Sequence, residues 1–494
     1  MATLYGGTES AVRMDTLNIS PWLTGTVGSS SPTAMFVNGP GSSYRQFSGN
    51  GFTYGPSGLF TGGTVTSIYI SNGAGGEPWG ITGMSMPVAS LNAYVAAGNT
   101  AGFLGAVFAG NDTLNGHNFF AFNDYLDGFG GHDKINGGAG NDTLIGGAGN
   151  DTLNGQIGDD VLKGGSGVDN LLGGKGNDVF YIESAADLVV ELAGEGNDWV
   201  IAPIGVDLTA LGAGQVENAW LTGAANLNAT GNNAANFLLG NSGANKIAGG
   251  LGSDTIYGAD GNDTLDGGSG VDTMYGGNGD DIYYADSSLD TIDEIGGSGV
   301  DTVIASLDFS LGDTTGDVEN LTLVAGTDDL DGWGNGLANK ITGNDGENNI
   351  SGYDGNDTIN GGGAPDNLNG GLGNDSLNGG LGDDSLDGGH GTNTINVLNG
   401  NDTVRHQPSI DAYDIIQNFD GNPVGGQDVL DLDSMFDALG VAVGSRAGRV
   451  SVTDKGASVD VRIDTNGDGA FDYLAATIVS PNTITVGEDV LVGS

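Results

Sequence analysis

The stretch GGAGNDTLIGGAGNDTLNG, residues 137–155, states nearly the same nine residues twice. Glycines at the head of each copy permit the positive φ and close backbone approach of a tight turn. The three residues after each aspartate, such as Thr143, Leu144 and Ile145, suit a very short strand with one apolar side chain pointing inward. A unit this small cannot bury that side chain alone, so copies must stack. Two units then make one turn of a parallel coil with a row of loops along each edge. An all-β fold is expected.

The period extends well beyond this stretch. After Asp112 and Asp124, the first block places Asp133, Asp142, Asp151, Asp160, Asp169 and Asp178 at steps of nine. A second block gives Asp254, Asp263, Asp272 and Asp281. The third runs Asp357, Asp366, Asp375, Asp384, then Asn393 and Asp402. The full G-G-x-G-x-D phrase ends at Asp142, Asp151, Asp169, Asp178, Asp254, Asp272, Asp281, Asp375 and Asp384. Asp124 follows FFAFN, without glycine, and Asp366 follows GGGAP, where Pro365 removes a backbone donor. Asn339, Asn348 and Asn393 stand where aspartate is expected, which predicts weaker or empty loops.

Loops two units apart should stack at about 4.8 Å. Carboxylates at that separation repel by a little under ~1 kcal/mol per pair in water-like dielectric, and by more beside protein. Without a counter-ion the coil should not close. Calcium fits, because it takes six to eight oxygen ligands at flexible geometry. Aspartate supplies carboxylate oxygen, and a glycine turn supplies carbonyl oxygens that no side chain obstructs. Magnesium demands a stricter octahedron and keeps its waters. Zinc would call for histidine or cysteine, and the loops offer almost none. The predicted ligands are Asp133, Asp142, Asp151, Asp160, Asp169, Asp178, Asp254, Asp263, Asp272, Asp281, Asp357, Asp366, Asp375, Asp384 and Asp402, holding roughly ten or more calcium ions at six to eight oxygens each.

These phrases resemble the RTX (repeats-in-toxin) proteins with hemolysin-type calcium-binding repeats, whose nonapeptides build a parallel β-roll. The resemblance implies a β-solenoid. A larger period overlies the small one: GGSGVD at 164–169 returns at 267–272, and QVENAWLTG at 215–223 corresponds to DVENLTLVA at 317–325. The offset is 102 to 103 residues, which indicates a duplicated module of calcium coils joined by β-rich spacers that look like wider solenoid turns. The expected domains are 1–110, a β-rich attachment or assembly domain, and the rolls 111–181, 236–284 and 339–405. Spacers fill 182–235 and 285–338. Residues 406–494 resemble the C-terminal, uncleaved target region of type I secretion substrates, which implies partnership with that machinery. Within it, DTNGDGAFD (464–472) has the opening spacing of an EF-hand loop but lacks the terminal glutamate. A hairpin turn is the favoured reading.

Charge follows the same division. The chain carries a net −51, yet residues 1–110 hold only Glu9, Asp15 and Glu77 against Arg13 and Arg45. Such a polyanion repels nucleic acid and anionic membranes and attracts cations. Cysteine is absent, so no disulfide staples the fold. The start, MATLYGGTESAVRMDTLNIS, lacks the basic and apolar regions of a cleaved signal peptide. No stretch approaches the length of an apolar spanning helix.

Catalysis has little material. H-E-x-x-H and G-x-S-x-G are missing, and His117, His132, His390 and His406 lie in or beside repeat loops. The expectation is a non-enzymatic, secreted, extracellular or surface protein: a calcium-binding structural subunit of an S-layer or filament, forming homo-oligomers or polymers. Its alternative is an adhesin gripping glycan, a host surface or cell-surface polysaccharide, with Trp22, Tyr44, Tyr54 or Trp79 stacking on sugars. A small N-terminal enzyme carried on the repeats ranks behind both.

Overall fold

In the computed structural model, described residues are 110–116, 123–405, 413–419, 428–432, 436, 450–454, 458–464, 473–479 and 490–491. Before residue 110, only the backbone of six strands is described: Thr3–Tyr5, Thr26–Ser31, Ala34–Asn38, Tyr44–Tyr54, Phe60–Ser71 and Trp79–Pro87. The side chains of Trp22, Tyr44, Tyr54 and Trp79 therefore lie outside the described residues. The protein is all-β, a parallel β-solenoid over its repeats; among the described residues, helix is confined to short 3-10 turns such as Leu211–Gly214 and Leu311–Asp313 and to the single position Phe436. The chain forms two compact units, Met1–Asn241 and Ser242–Ser494.

In the first unit, successive short strands alternate between two parallel sheets. Thr113–Asn115, Lys134–Ala139, Thr152–Ile157, Asn170–Lys175 and Leu188–Val190 stack on one face. Tyr125–Asp127, Thr143–Ala148, Val161–Ser166, Val179–Tyr181, Trp199–Ala202, Asn218–Leu221 and Phe237–Leu239 stack on the other. Register runs at eighteen residues within the repeats, pairing Leu153 with Leu171 and Leu144 with Leu162. Two nonapeptides thus make one turn. Through the spacer the step lengthens, so that Phe180 pairs with Val200 and Val200 with Ala219. The aromatic N-terminal strands form an antiparallel meander, and Thr3–Tyr5 sits between Trp79–Pro87 and Thr113–Asn115. It covers what would otherwise be an open sheet edge.

The second unit repeats the scheme. Lys246–Gly252, Thr264–Gly270, Ile282–Ala285, Thr302–Ala305 and Asn320–Leu323 continue in parallel through Lys340–Thr342 to Asp414–Gln417. The end of this sheet turns antiparallel, through Tyr473–Val479, Val459–Ile463 and Val450–Asp454. The EF-hand-like stretch connects the first two of these antiparallel strands; residues 465–472 lie outside the described set.

The interior explains the composition. Strand Thr143–Ala148 alternates so that Leu144 and Gly146 face inward. Leu126, Leu144 and Leu162 are fully buried in one ladder, and Ile135, Leu153 and Leu171 in the facing one. Each fully buried leucine contributes about 1.5–3 kcal/mol, so the narrow core is a sum of small, regularly repeated terms. Leu153→Ala should lower the stability of the calcium-loaded chain by about 2–5 kcal/mol in urea titration, while leaving the number of bound ions unchanged.

Candidate metal centre

Each loop carries its aspartate inward. All fifteen predicted ligands are buried, none more than 3% exposed. In fourteen of them, all but Asp254, one carboxylate oxygen is seen fixed by the backbone of the preceding turn: the Asp133 amide donates to Asp151 Oδ1 at 2.8 Å, and the Asp142 amide to Asp160 Oδ1 at 2.7 Å. The same bond recurs from Asp263 to Asp281 (2.7 Å) and from Asp357 to Asp375 (2.8 Å). Two carboxylate ladders therefore run along the edges of each roll at the eighteen-residue step.

The second oxygen has a different fate. Oδ2 accepts no hydrogen bond in Asp133, Asp142, Asp151, Asp160, Asp169, Asp178, Asp263, Asp272, Asp281, Asp357, Asp366, Asp375, Asp384 or Asp402. An ionised oxygen buried without a partner is costly. Apart from Asp402, whose phrase begins with Val397, each points under the first glycine of its own motif. A Cβ at Gly146 would lie 2.4 Å from Asp151 Oδ2 and 2.6 Å from the Gly164 carbonyl oxygen. At Gly370 the corresponding distances are 2.5 Å to Asp375 Oδ2 and 2.7 Å to the Gly388 carbonyl. The glycine is required because any side chain would fill the space that two oxygens share. Orphaned carboxylates beside unobstructed carbonyls fit a hard divalent cation, and calcium tolerates their irregular number and geometry. When bound, the ion supplies the positive charge that lets stacked carboxylates stay ionised inside the fold.

Electrostatics agree with that assignment. Burial, with repulsion from neighbouring carboxylates, lifts Asp133, Asp281 and Asp402 to about 7 and Asp160 to about 8. Burial likewise holds Asp169, Asp178, Asp263, Asp357 and Asp375 near 6.

Departures from the repeat are resolved individually. Asp366 keeps the ladder despite Pro365, accepting from the Asn348 amide at 2.9 Å and donating to Asp384 Oδ1 at 2.9 Å. The asparagines satisfy themselves with amide chemistry. Asn348 Oδ1 accepts from the Asn344 amide (2.9 Å), and its Nδ2 donates to the Leu330 carbonyl (2.7 Å). Asn339 does the same with the Asn335 amide and the Glu319 carbonyl. At Asn393 the amide nitrogen lies under Gly388, where an aspartate oxygen would be, and donates to Asp414 Oδ1 at 3.0 Å.

Sequence periodicity missed several members of the ladders. Asp187 and Asp290 accept from Asp169 and Asp272, eighteen residues before them, but no glycine phrase precedes either. Asp198 and Asp301 accept from Asp178 and Asp281 across a step of twenty. Asp301 ends a complete GGSGVD (296–301), which a count in nines steps over. Asp414 and Asp428 extend the third roll at steps of 21 and 26, with no sequence signal.

The family model for the RTX calcium-binding nonapeptide repeat (4 copies) matches residues 121–144, 145–180, 230–265, 257–292, 333–368 and 369–404. These segments cover the three blocks of aspartate ladders. No curated protein matches the chain.

The raised carboxylates set a pH dependence. In the unfolded chain they titrate near ~4, and in the folded, metal-free chain mostly between about 6 and about 8. The folded form therefore binds more protons, and its metal-free stability is fully present below ~4 and lost as pH rises through 6 to 8. Calcium needs the ionised form, so its binding should release protons and weaken on acidification. The chelated chain should lose its β circular dichroism at pH 8 and regain it near pH 5; a pH-independent spectrum would refute this.

Proposed function

The chain belongs to the RTX calcium-binding nonapeptide repeat proteins, and we propose on that premise that it is a secreted, non-catalytic structural protein. It folds on the calcium it meets outside the cell and self-assembles at the bacterial surface or matrix, as an S-layer or filament subunit. The observation that carries this reading is the pair of ladders of buried, half-unsatisfied carboxylates. They make the metal a component of the fold rather than a ligand of a finished one. At a hundredfold excess of calcium over Kd, each site contributes about 2.7 kcal/mol by mass action. Summed over the ladders, that gain offsets the buried charge. At cytosolic calcium the repeats stay unfolded, the form a secretion channel can pass, and residues 406–494 serve as the address for type I export.

Support for assembly comes from the division of charge. Residues 1–110 are nearly neutral and aromatic, whereas the remainder holds almost all of the net −51. Anionic ladders repel one another unless calcium bridges them. An uncharged sheet has no such penalty and offers apolar area stabilising by about 25 cal/mol per Å2 buried. The seam between subunits is therefore assigned to the N-terminal meander. No helix among the described residues is long and apolar enough to cross a membrane.

Two measurements test this. Chelation with EGTA at neutral pH should abolish the β spectrum of the full chain, and restored calcium should recover it; a spectrum indifferent to both would sink calcium-coupled folding. In negative-stain microscopy with calcium, the full chain should form ordered lattices or fibres. A chain beginning at Asn111 should still bind calcium but remain dispersed. Monomers from the full chain would favour the adhesin reading, and equal assembly by the truncated chain would move the seam into the repeats.

A further inference from the structure

We propose that Asp281, Glu294 and Asp301 hold a calcium ion in a site outside the nonapeptide pattern, with a spacer glutamate as ligand. Asp178, Glu191 and Asp198 hold its duplicate in the first unit. The inference rests on the calcium reading of the ladders and adds ligands and sites to it.

One oxygen from each of Asp281, Glu294 and Asp301 lies within 4.8 Å of the other two, and all three residues are buried. Oxygens around one calcium at 2.3–2.6 Å must lie within about 5 Å of each other. Glu294 is only 5% exposed. Its Oε1 accepts from the Tyr283 hydroxyl, but Oε2 has no partner. That oxygen faces a glycine: a Cβ at Gly297 would lie 2.2 Å from Glu294 Oε2 and 2.5 Å from the Gly277 carbonyl oxygen. On the other side, a Cβ at Gly276 would lie 2.4 Å from Asp281 Oδ2 and 2.5 Å from Glu294 Oε1. Three carboxylates thus converge beside glycine-walled space, which the Tyr283 hydroxyl borders at Gly276 and the Gly277 carbonyl at Gly297. The donor set is all oxygen, which selects calcium over zinc.

The same residues recur in the first unit, where Glu191 meets Asp178 but the three carboxylates are not drawn as close together as Asp281, Glu294 and Asp301. Asp178, Glu191 and Asp198 each precede their counterparts by 103 residues. Glu191 is 3% exposed with Oε2 unpartnered. A Cβ at Gly173 would lie 2.0 Å from Glu191 Oε1 and 2.3 Å from Asp178 Oδ2. In both units the last aspartate accepts from the first one's amide at 2.8 Å. Phe180 stands at the position of Tyr283, so the duplicate lacks the hydroxyl while keeping all three carboxylates. A tyrosine–glutamate hydrogen bond alone therefore does not account for the conserved internal arrangement. Each trio joins the last aspartate of a nonapeptide run to residues of the following spacer turn. An ion there pins the spacer to the roll.

The test is calcium stoichiometry of the full chain by native mass spectrometry, with thermal melts in calcium. Glu294→Gln should bind one ion fewer than wild type, and Glu191→Gln with Glu294→Gln two fewer. Glu294→Gln should also melt lower than wild type in calcium. Asp375→Ala, in the third roll, separates the two levels of the argument. If Asp375→Ala loses calcium while Glu294→Gln keeps the full complement and melts alike, Glu294 is a buried acid held by Tyr283 and this inference is overturned. If neither variant loses calcium, the ladder reading itself falls. Should Glu294→Gln fail to fold in calcium, Asp301→Asn provides the same count, and its unchanged stoichiometry would equally overturn the site.

Discussion

The structure depends on one interaction: a carboxylate buried beside another turn's backbone, with one oxygen hydrogen-bonded and the other left for a cation. Asp151 shows the whole of it, with Oδ1 taking the Asp133 amide and Oδ2 unpartnered under Gly146. The glycine at that place, the nine-residue period and the extreme net charge follow from this unit. A longer side chain would block the carbonyl and the carboxylate together. A different spacing would break the amide bond between turns. Neutral residues would remove the need for the ion and with it the control of folding.

The apolar core plays a secondary role. One buried leucine or isoleucine per strand gives a ladder too thin to hold an ordinary domain, and the facing positions are glycines such as Gly146. Stability is shared between this ladder and the ions at its edges, as expected for a stack in which each unit contacts only its neighbours. Asparagine turns supply a second solution to the same loop. The Asn344–Asn348 pair satisfies its backbone by amide bonds instead of metal, and so does Asn335–Asn339. Such turns open the third roll. There the chain is fastened without calcium before the metal-dependent repeats begin.

Much of this was legible in the sequence, because the period reports the stack directly. Pairing at eighteen residues follows from two nonapeptides per turn, and each aspartate in register is buried on a ladder. What escaped was chemistry held by geometry rather than by phrase. Asp187 occupies a ladder position with no glycine before it, so nothing in its neighbourhood marks it. Asp301 carries the complete phrase but sits at a step of twenty, where the spacer turn is wider. Glu191 and Glu294 cannot be found by any nonapeptide rule. They reach the ladder from the adjacent turn, and only the fold brings them to Asp178 and Asp281. Asn348 was expected to weaken its loop, and its amide bonds are visible only once the neighbouring turn is placed.

The central claim is that at neutral pH the interturn carboxylate bonds exist only when the metal charge is present. Hydrogen exchange of the ladder amides tests it most directly. The amides of Asp133, Asp142, Asp263 and Asp357 each donate to a carboxylate eighteen residues on. In calcium at neutral pH they should exchange only through global opening. In chelator they should exchange at the rate of an unfolded chain. Equal protection in both conditions would mean that the coil closes without its ions, and would contradict the account.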